Sequence, residues 1–204
     1  MPLLVPDWNQ PRPTIKEVLE VCRNIRLTPL GVPTQPFETF LTEIRSERRN
    51  GGAYLNVFDV GPSPVFDWFA SRSRLWDDRL LDWLALHPTI AQSFTELRIP
   101  DSPREDSLNT GFAMFDPFLL DGTFASLLYH GGAYSQASGD GHAEKELAVD
   151  VCNAMFGLRY GEIVCNMNYG VWTPWFKGIA WDVTAIIFDR GNRKLRMFVT
   201  TDTD

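Results

Sequence analysis

Cysteine is scarce in this chain. Cys22, Cys152 and Cys165 are the only three in 204 residues, an odd count with no close pair. That excludes a disulfide framework and any CxxC redox or zinc motif. Nowhere do 18 apolar residues follow one another, so no segment reads as a membrane span. The opening residues Met1-Pro2-Leu3-Leu4-Val5-Pro6 lack the basic flank and long apolar run of a secretory signal. The expectation is a reduced, cytoplasmic protein without a membrane role. Lysine is nearly as rare, four against 15 arginines, and no block of five like charges occurs, which excludes a charged interaction tail. GxGxxG, P-loop, HExxH, GxSxG and kinase signatures are all missing. Dinucleotide and phosphate-cradling chemistry, and any motif-borne cofactor, therefore have no support.

What remains is an ordinary globular composition. Hydrophobic residues make up 44% and charged residues 22%, which excludes intrinsic disorder. The net charge is -7 and is unevenly spread. Residues 1–100 carry 11 basic and 12 acidic side chains, whereas residues 101–204 carry 8 and 14. An acidic second half repels a polyanion, which argues against extended nucleic-acid binding and suits a cationic ligand or partner.

Local patterns place the elements. Thr14 and Glu17 form a capping box, and Ile15, Val18, Leu19, Cys22 and Ile25 share one helical stripe. Residues 29–36 read as a loop. A second helix runs from about Pro36 through Phe37, Phe40, Leu41 and Ile44 to Asn50-Gly51-Gly52, followed by a strand over 53–60. Residues 65–86 read as one long or two short helices, and 89–98 as another. The polar stretch 100–110 is the candidate inter-lobe loop within what reads as a single domain. Beyond it, 111–115 and 123–129 read as strands, 142–156 as a helix, and 163–167, 179–188 and 195–200 as strands. Helices dominate early and strands late. The fold class expected is α+β, with a helix-rich N-terminal half packed on a C-terminal antiparallel sheet. The sequence GGAY occurs at 51–54 and 131–134 without matching flanks, so it does not mark a repeat.

Two segments carry candidate chemistry. Between Tyr129 and Glu146 lie two of the three histidines, His130 and His142, with Asp140, Glu144 and Glu146. Acid–base work near neutral pH needs a histidine or a shifted carboxylate, and His142 and Glu146 are i, i+4 neighbours. These five are the candidate catalytic residues. His130, His142 and a carboxylate lack any metal-ligand spacing, so no metal is expected. The second segment is the aromatic loop with Tyr169, Trp172, Trp175 and Phe176, which could wall an apolar pocket together with Asp182. Cys22 lies on a core stripe, and Cys165 on a predicted strand has no basic neighbour in sequence to lower its pKa, so neither is a nucleophile candidate.

Phe37-Glu38-Thr39-Phe40-Leu41, running to Asn50-Gly51-Gly52, and Ile90-Ala91-Gln92-Ser93-Phe94-Thr95-Glu96-Leu97 resemble pieces of the SUKH superfamily. That superfamily includes small, acidic, intracellular toxin-immunity proteins. The resemblance covers about a tenth of the chain. The strand meander expected between those pieces is replaced by Trp-rich helices, and residues 101–204 have no counterpart. Two functional readings follow. The first is a small enzyme or ligand-binding protein acting on a small, cationic molecule by acid–base chemistry, with its site between the 130–146 segment and the aromatic loop. The second is a non-catalytic acidic module that binds a protein partner, such as an inhibitor or immunity protein.

Overall fold

The computed structural model describes residues 4–31, 35–100, 111–134 and 141–204. The stretch 101–110, which holds most of the expected inter-lobe loop, lies outside the described residues. The chain forms an α+β structure built on one antiparallel sheet. Its elements are α1 (Ile15–Asn24), β1 (Leu27–Gly31), α2 (Phe37–Glu47), β2 (Gly52–Val60), α3 (Pro64–Ser71), α4 (Leu80–Ala85) and α5 (Pro88–Ser93). They continue with β3 (Ala113–Phe115), α6 (Leu120–His130), α7 (His142–Phe156), β4 (Ile163–Asn168), β5 (Val183–Asp189) and β6 (Lys194–Thr201). The strand order is β1-β2-β6-β5-β4-β3.

The sheet is covered on both faces, which explains the sequence of its strands. β4 and β5 are buried at every position, because one face packs against one helical layer and the other face against a second. Strands buried on both faces read as near-continuous apolar runs, as Val183-Thr184-Ala185-Ile186-Ile187-Phe188 does. On the first face Phe58, Val164, Ile186, Phe188, Leu195, Met197 and Val199 meet Val18, Phe66, Phe69, Leu81 and Leu84 from α1, α3 and α4. On the second face Ala53, Leu55, Cys165, Ala185, Ile187 and Phe198 meet Phe40, Ile44, Phe124, Val151 and Met155 from α2, α6 and α7. Burying each such side chain is worth roughly 1.5–3 kcal/mol.

Several expectations hold and two change. The capping box at α1 is made in full: Thr14 N donates to Glu17 at 2.7 Å, and Glu17 N donates back to Thr14 Oγ1. The sheet draws β1 and β2 from the first half of the chain, and β2 pairs directly with β6. Residues 123–129, expected as a strand, lie inside α6. Thr123, Phe124, Tyr129 and the neighbouring leucines have strand propensity, but packing of Phe124 against Phe40 and Phe198 decides the outcome. Residues 27–31, expected to belong partly to a loop, form the edge strand β1.

His87 opens α5 and locks it to the first helical layer. Its Nδ1 accepts the Thr89 N–H at 3.1 Å, and the ring also bonds the backbone of Ile25. Burial lowers its pKa and outweighs the bond to Ile25. The neutral ring therefore contributes stability that is complete above the unfolded value near 6.5. That contribution is lost as pH falls through the lower folded value. Urea unfolding at pH 7.5 and 5.5 should show a loss on the order of 1 kcal/mol from this residue. The His87→Asn variant, which keeps an acceptor for Thr89, should show a correspondingly smaller loss.

Candidate functional site

The two candidate segments sit on opposite faces of the sheet. The aromatic loop packs with the first-face core through Trp172, Trp175 and Phe176, whereas α6 and α7 cover the second face. Among the described residues, the sheet separates Trp172, Trp175 and Phe176 from the side chains of α6 and α7.

On the first face the aromatic residues are mutually satisfied. Trp172 Nε1 donates to Thr184 Oγ1 at 2.8 Å, and its ring lies 5.5 Å from Phe112 and 5.8 Å from Phe176. Trp175 packs on Tyr54 at 5.8 Å and edge-on to Phe176 at 5.0 Å. Tyr169 is exposed and stands apart from this cluster, its hydroxyl donating to Sδ of Met167, a second-face core residue, at 3.7 Å. Asp182 is completely buried. Its Oδ2 accepts the backbone N–H groups of Lys177, Gly178 and Ile179, and its Oδ1 accepts the Thr201 hydroxyl. Four donors thus converge on one carboxylate, which ties the loop 177–182 to the end of β6.

On the second face, His130 ends α6 and is exposed, its ring edge-on to Tyr129 at 5.1 Å. His142 opens α7, and its Nε2 lies 3.3 Å from Glu146 Oε1, the i, i+4 pair expected from spacing. Their side chains are 75% and 69% exposed, so solvent screens the pair. Asp140 lies outside the described residues. Glu144 is half-buried and lines a cleft.

The described residues of the segment contribute to that cleft. It holds about 340 Å³ and is lined by Thr39, Glu43 and Glu47 from α2, Leu128, Tyr129 and Gly131 from α6 and its exit, and Ala143, Glu144 and Leu147 from α7. Thr39, Glu43 and Glu47 recur every four residues, so they form one stripe beside the apolar stripe of Phe37, Phe40, Leu41 and Ile44. Ala143 and Leu147 are likewise four apart on α7. His142 and Glu146 lie one residue N-terminal to each, at the margin of that stripe. The sequence reading missed Glu43 and Glu47, although their spacing was a usable signal. It had assigned α2 by its apolar face alone.

Charge makes the cleft selective in principle. Among the described residues, three carboxylates line it and no basic side chain does. Glu43 and Glu144 have no cationic partner among the described residues, while Lys145 is committed to Asp121 at 2.7 Å. Among the described residues no group of three His, Cys, Asp or Glu side chains is arranged to hold a metal ion. All three cysteines are buried, and burial pushes the Cys22 and Cys152 thiols up to about 12 and raises Cys165 likewise. They offer no thiolate near neutral pH. Among the described residues no helix is long and apolar enough to cross a membrane. No protein-family model matches the chain, and no curated protein matches it significantly.

Proposed function

We propose that this chain binds a small organic cation in the cleft between α2, α6 and α7. The observation that supports this reading is the convergence of Glu43, Glu47 and Glu144 on a cleft otherwise walled by leucine, alanine and a tyrosine ring. A linear amine or guanidinium compound matches that surface, with charged ends for the carboxylates and an aliphatic stem for the apolar wall. Agmatine, with an ammonium and a guanidinium on a four-carbon stem, is the probe. Titration calorimetry should detect binding that weakens with added salt. Glu43→Gln and Glu144→Gln should each reduce affinity by about three- to tenfold, the value of one partly solvated charge contact. Unchanged affinity in both variants would sink this assignment.

Proton transfer belongs to the same reading. The candidate acid or base in this reading is His142, which pairs with Glu146 and precedes the cleft-lining Ala143, with His130 at the end of α6 as the alternative. If agmatine-type ligands are turned over, His142→Ala or His130→Ala abolishes turnover while sparing affinity.

A protein-binding role draws on a different feature. At the sheet edge formed by β3, Met114 and Phe118 are 69% and 65% exposed, and Phe118 stacks on Tyr160 at 4.6 Å. Grouped exposed apolar side chains beside the last strand of the sheet suit a partner. Native mass spectrometry of gently isolated protein separates the readings: a small adduct favours the cleft, and a stoichiometric protein partner favours the edge.

A further inference from the structure

We infer that Asp202 is a positioning residue for the acidic cleft: one buried carboxylate fixes the gap between α2 and α6 and thereby the reach of the α2 glutamates. The inference rests on the cleft reading above. It concerns how that site is held rather than what fills it.

Asp202 follows β6 and is completely buried. Its Oδ1 accepts the Asn50 N–H at 2.8 Å and its Oδ2 accepts the Ala133 N–H at 2.8 Å. Asn50 stands three residues beyond the end of α2, and Ala133 three residues beyond the end of α6. The exits of both cleft walls are therefore pinned to the two oxygens of a single side chain. Glu47 and Gly131, which line the cleft, lie within three residues of those anchors.

A second set of bonds runs in parallel. Arg48 is buried, donates through Nη1 to the Gly131 carbonyl, and donates through Nε to Thr200 Oγ1 at 3.2 Å. Burial depresses the Arg48 pKa, and Asp202 together with Glu47 opposes that effect. Asp202 is thus both a hydrogen-bond acceptor for two backbones and a counter-charge for the guanidinium between them. Asn50 Nδ2 donates to the Thr203 carbonyl at 2.8 Å, which holds the same segment from its other side. Gly132 closes the contact without slack, since a Cβ there would lie 2.0 Å from the Glu47 carbonyl oxygen and 2.4 Å from Asp202 Oδ2. Neither wall can shift relative to the other while these bonds persist.

The test uses the full chain, the Asp202→Asn variant and agmatine. Asn keeps the shape but removes the charge and one of the two acceptors. Two readouts are taken: agmatine affinity by calorimetry at 20 °C, and the α2–α6 separation by electron–electron resonance, on flash-frozen samples, between spin labels on Thr42→Cys and Ser126→Cys. Both positions are exposed, and the native cysteines are buried, so labelling is selective. The expected result is at least a tenfold loss of affinity and a shifted or broadened label distance, with near-ultraviolet dichroism retained. A lower melting temperature with unchanged affinity and unchanged distance would mean that Asp202 only stabilises the fold, and would overturn the inference. If agmatine does not bind the unmodified protein, the cleft reading fails by itself, and the distance still decides whether Asp202 sets the gap. Should Asp202→Asn not fold, Asp202→Glu takes its place. It retains the charge on Arg48 but displaces the oxygens by one methylene, and the same two readouts apply with the same expected directions.

Discussion

Asp182→Ala should cost about 3–5 kcal/mol, among the largest effects of any single polar substitution in this protein. Three part-buried backbone N–H groups and the Thr201 hydroxyl converge on that carboxylate, which is itself completely buried. Each buried donor left without an acceptor costs about 1–3 kcal/mol, and partial relaxation of the loop recovers some of the sum. For a chain of this length each kcal/mol moves the melting temperature by about 2–4 °C, so a fall of roughly 6–20 °C is expected by calorimetry. Asp182→Asn is the informative comparison. Its amide oxygen can still accept the three N–H groups, and its amide nitrogen can donate to a reoriented Thr201 hydroxyl, so about 1–2 kcal/mol should be lost. Equal losses for the two variants would show that the charge, not the hydrogen-bond geometry, holds the loop.

Gly132→Ala should be destabilising on a similar scale for a steric reason. Because the nearest obstacle is the Glu47 backbone, no side-chain rotation relieves the overlap. Overpacking a close backbone contact costs about 1–3 kcal/mol and more where the backbone itself must move, so at least 3 kcal/mol is expected here. Gly51→Ala belongs with it, since a Cβ there would lie 1.9 Å from the Thr201 carbonyl oxygen. Gly161→Ala is the control: a Cβ there meets nothing within 4 Å, and the change should fall within about 0.5 kcal/mol. Denaturant midpoints for the three variants check the ranking. Gly51 is the first glycine of one GGAY stretch and Gly132 the second of the other. Both close on the segment at the end of β6, one against Thr201 and one against Asp202, but from non-equivalent positions, so the shared letters do not mark a repeat.

The sequence made α1, α2, α7 and the β5–β6 hairpin legible, because each is specified by contacts among neighbours: the Thr14–Glu17 box, the Phe37–Ile44 stripe, the Gly157 exit and the turn at Asp189–Asn192. The Asp189 carboxylate accepts from Asn192 N at 3.0 Å, which is the local bond the turn residues announced. What stayed hidden depends on distant partners. β1 exists because Leu27 and Thr28 find Val60 and Asp59, and α6 is helical because Phe124 is surrounded by Phe40 and Phe198. At the candidate site, the His142–Glu146 pair was readable from spacing. The cleft itself was not, because Glu43 and Glu144 are about one hundred positions apart and meet only through the packing of α2 on α7. Asp182 stands out in sequence as an acid beside an aromatic loop. Its burial and its four donors emerge only when β5 and β6 are side by side.

The strand order has a consequence for how this chain can be divided. β2 borders β6 along eight paired positions, yet the two strands are separated by more than 130 residues. Residues 1–100 alone would hold only the β1–β2 ribbon, with the long inner row of β2 amides and carbonyls facing water. Such a fragment would present an open, apolar strand of the kind that recruits other chains. Synthesis from the N-terminus leaves β2 in that condition until the last hairpin emerges. The β2–β6 pairing is a long-range contact, and forming it is expected to be slow compared with helix formation.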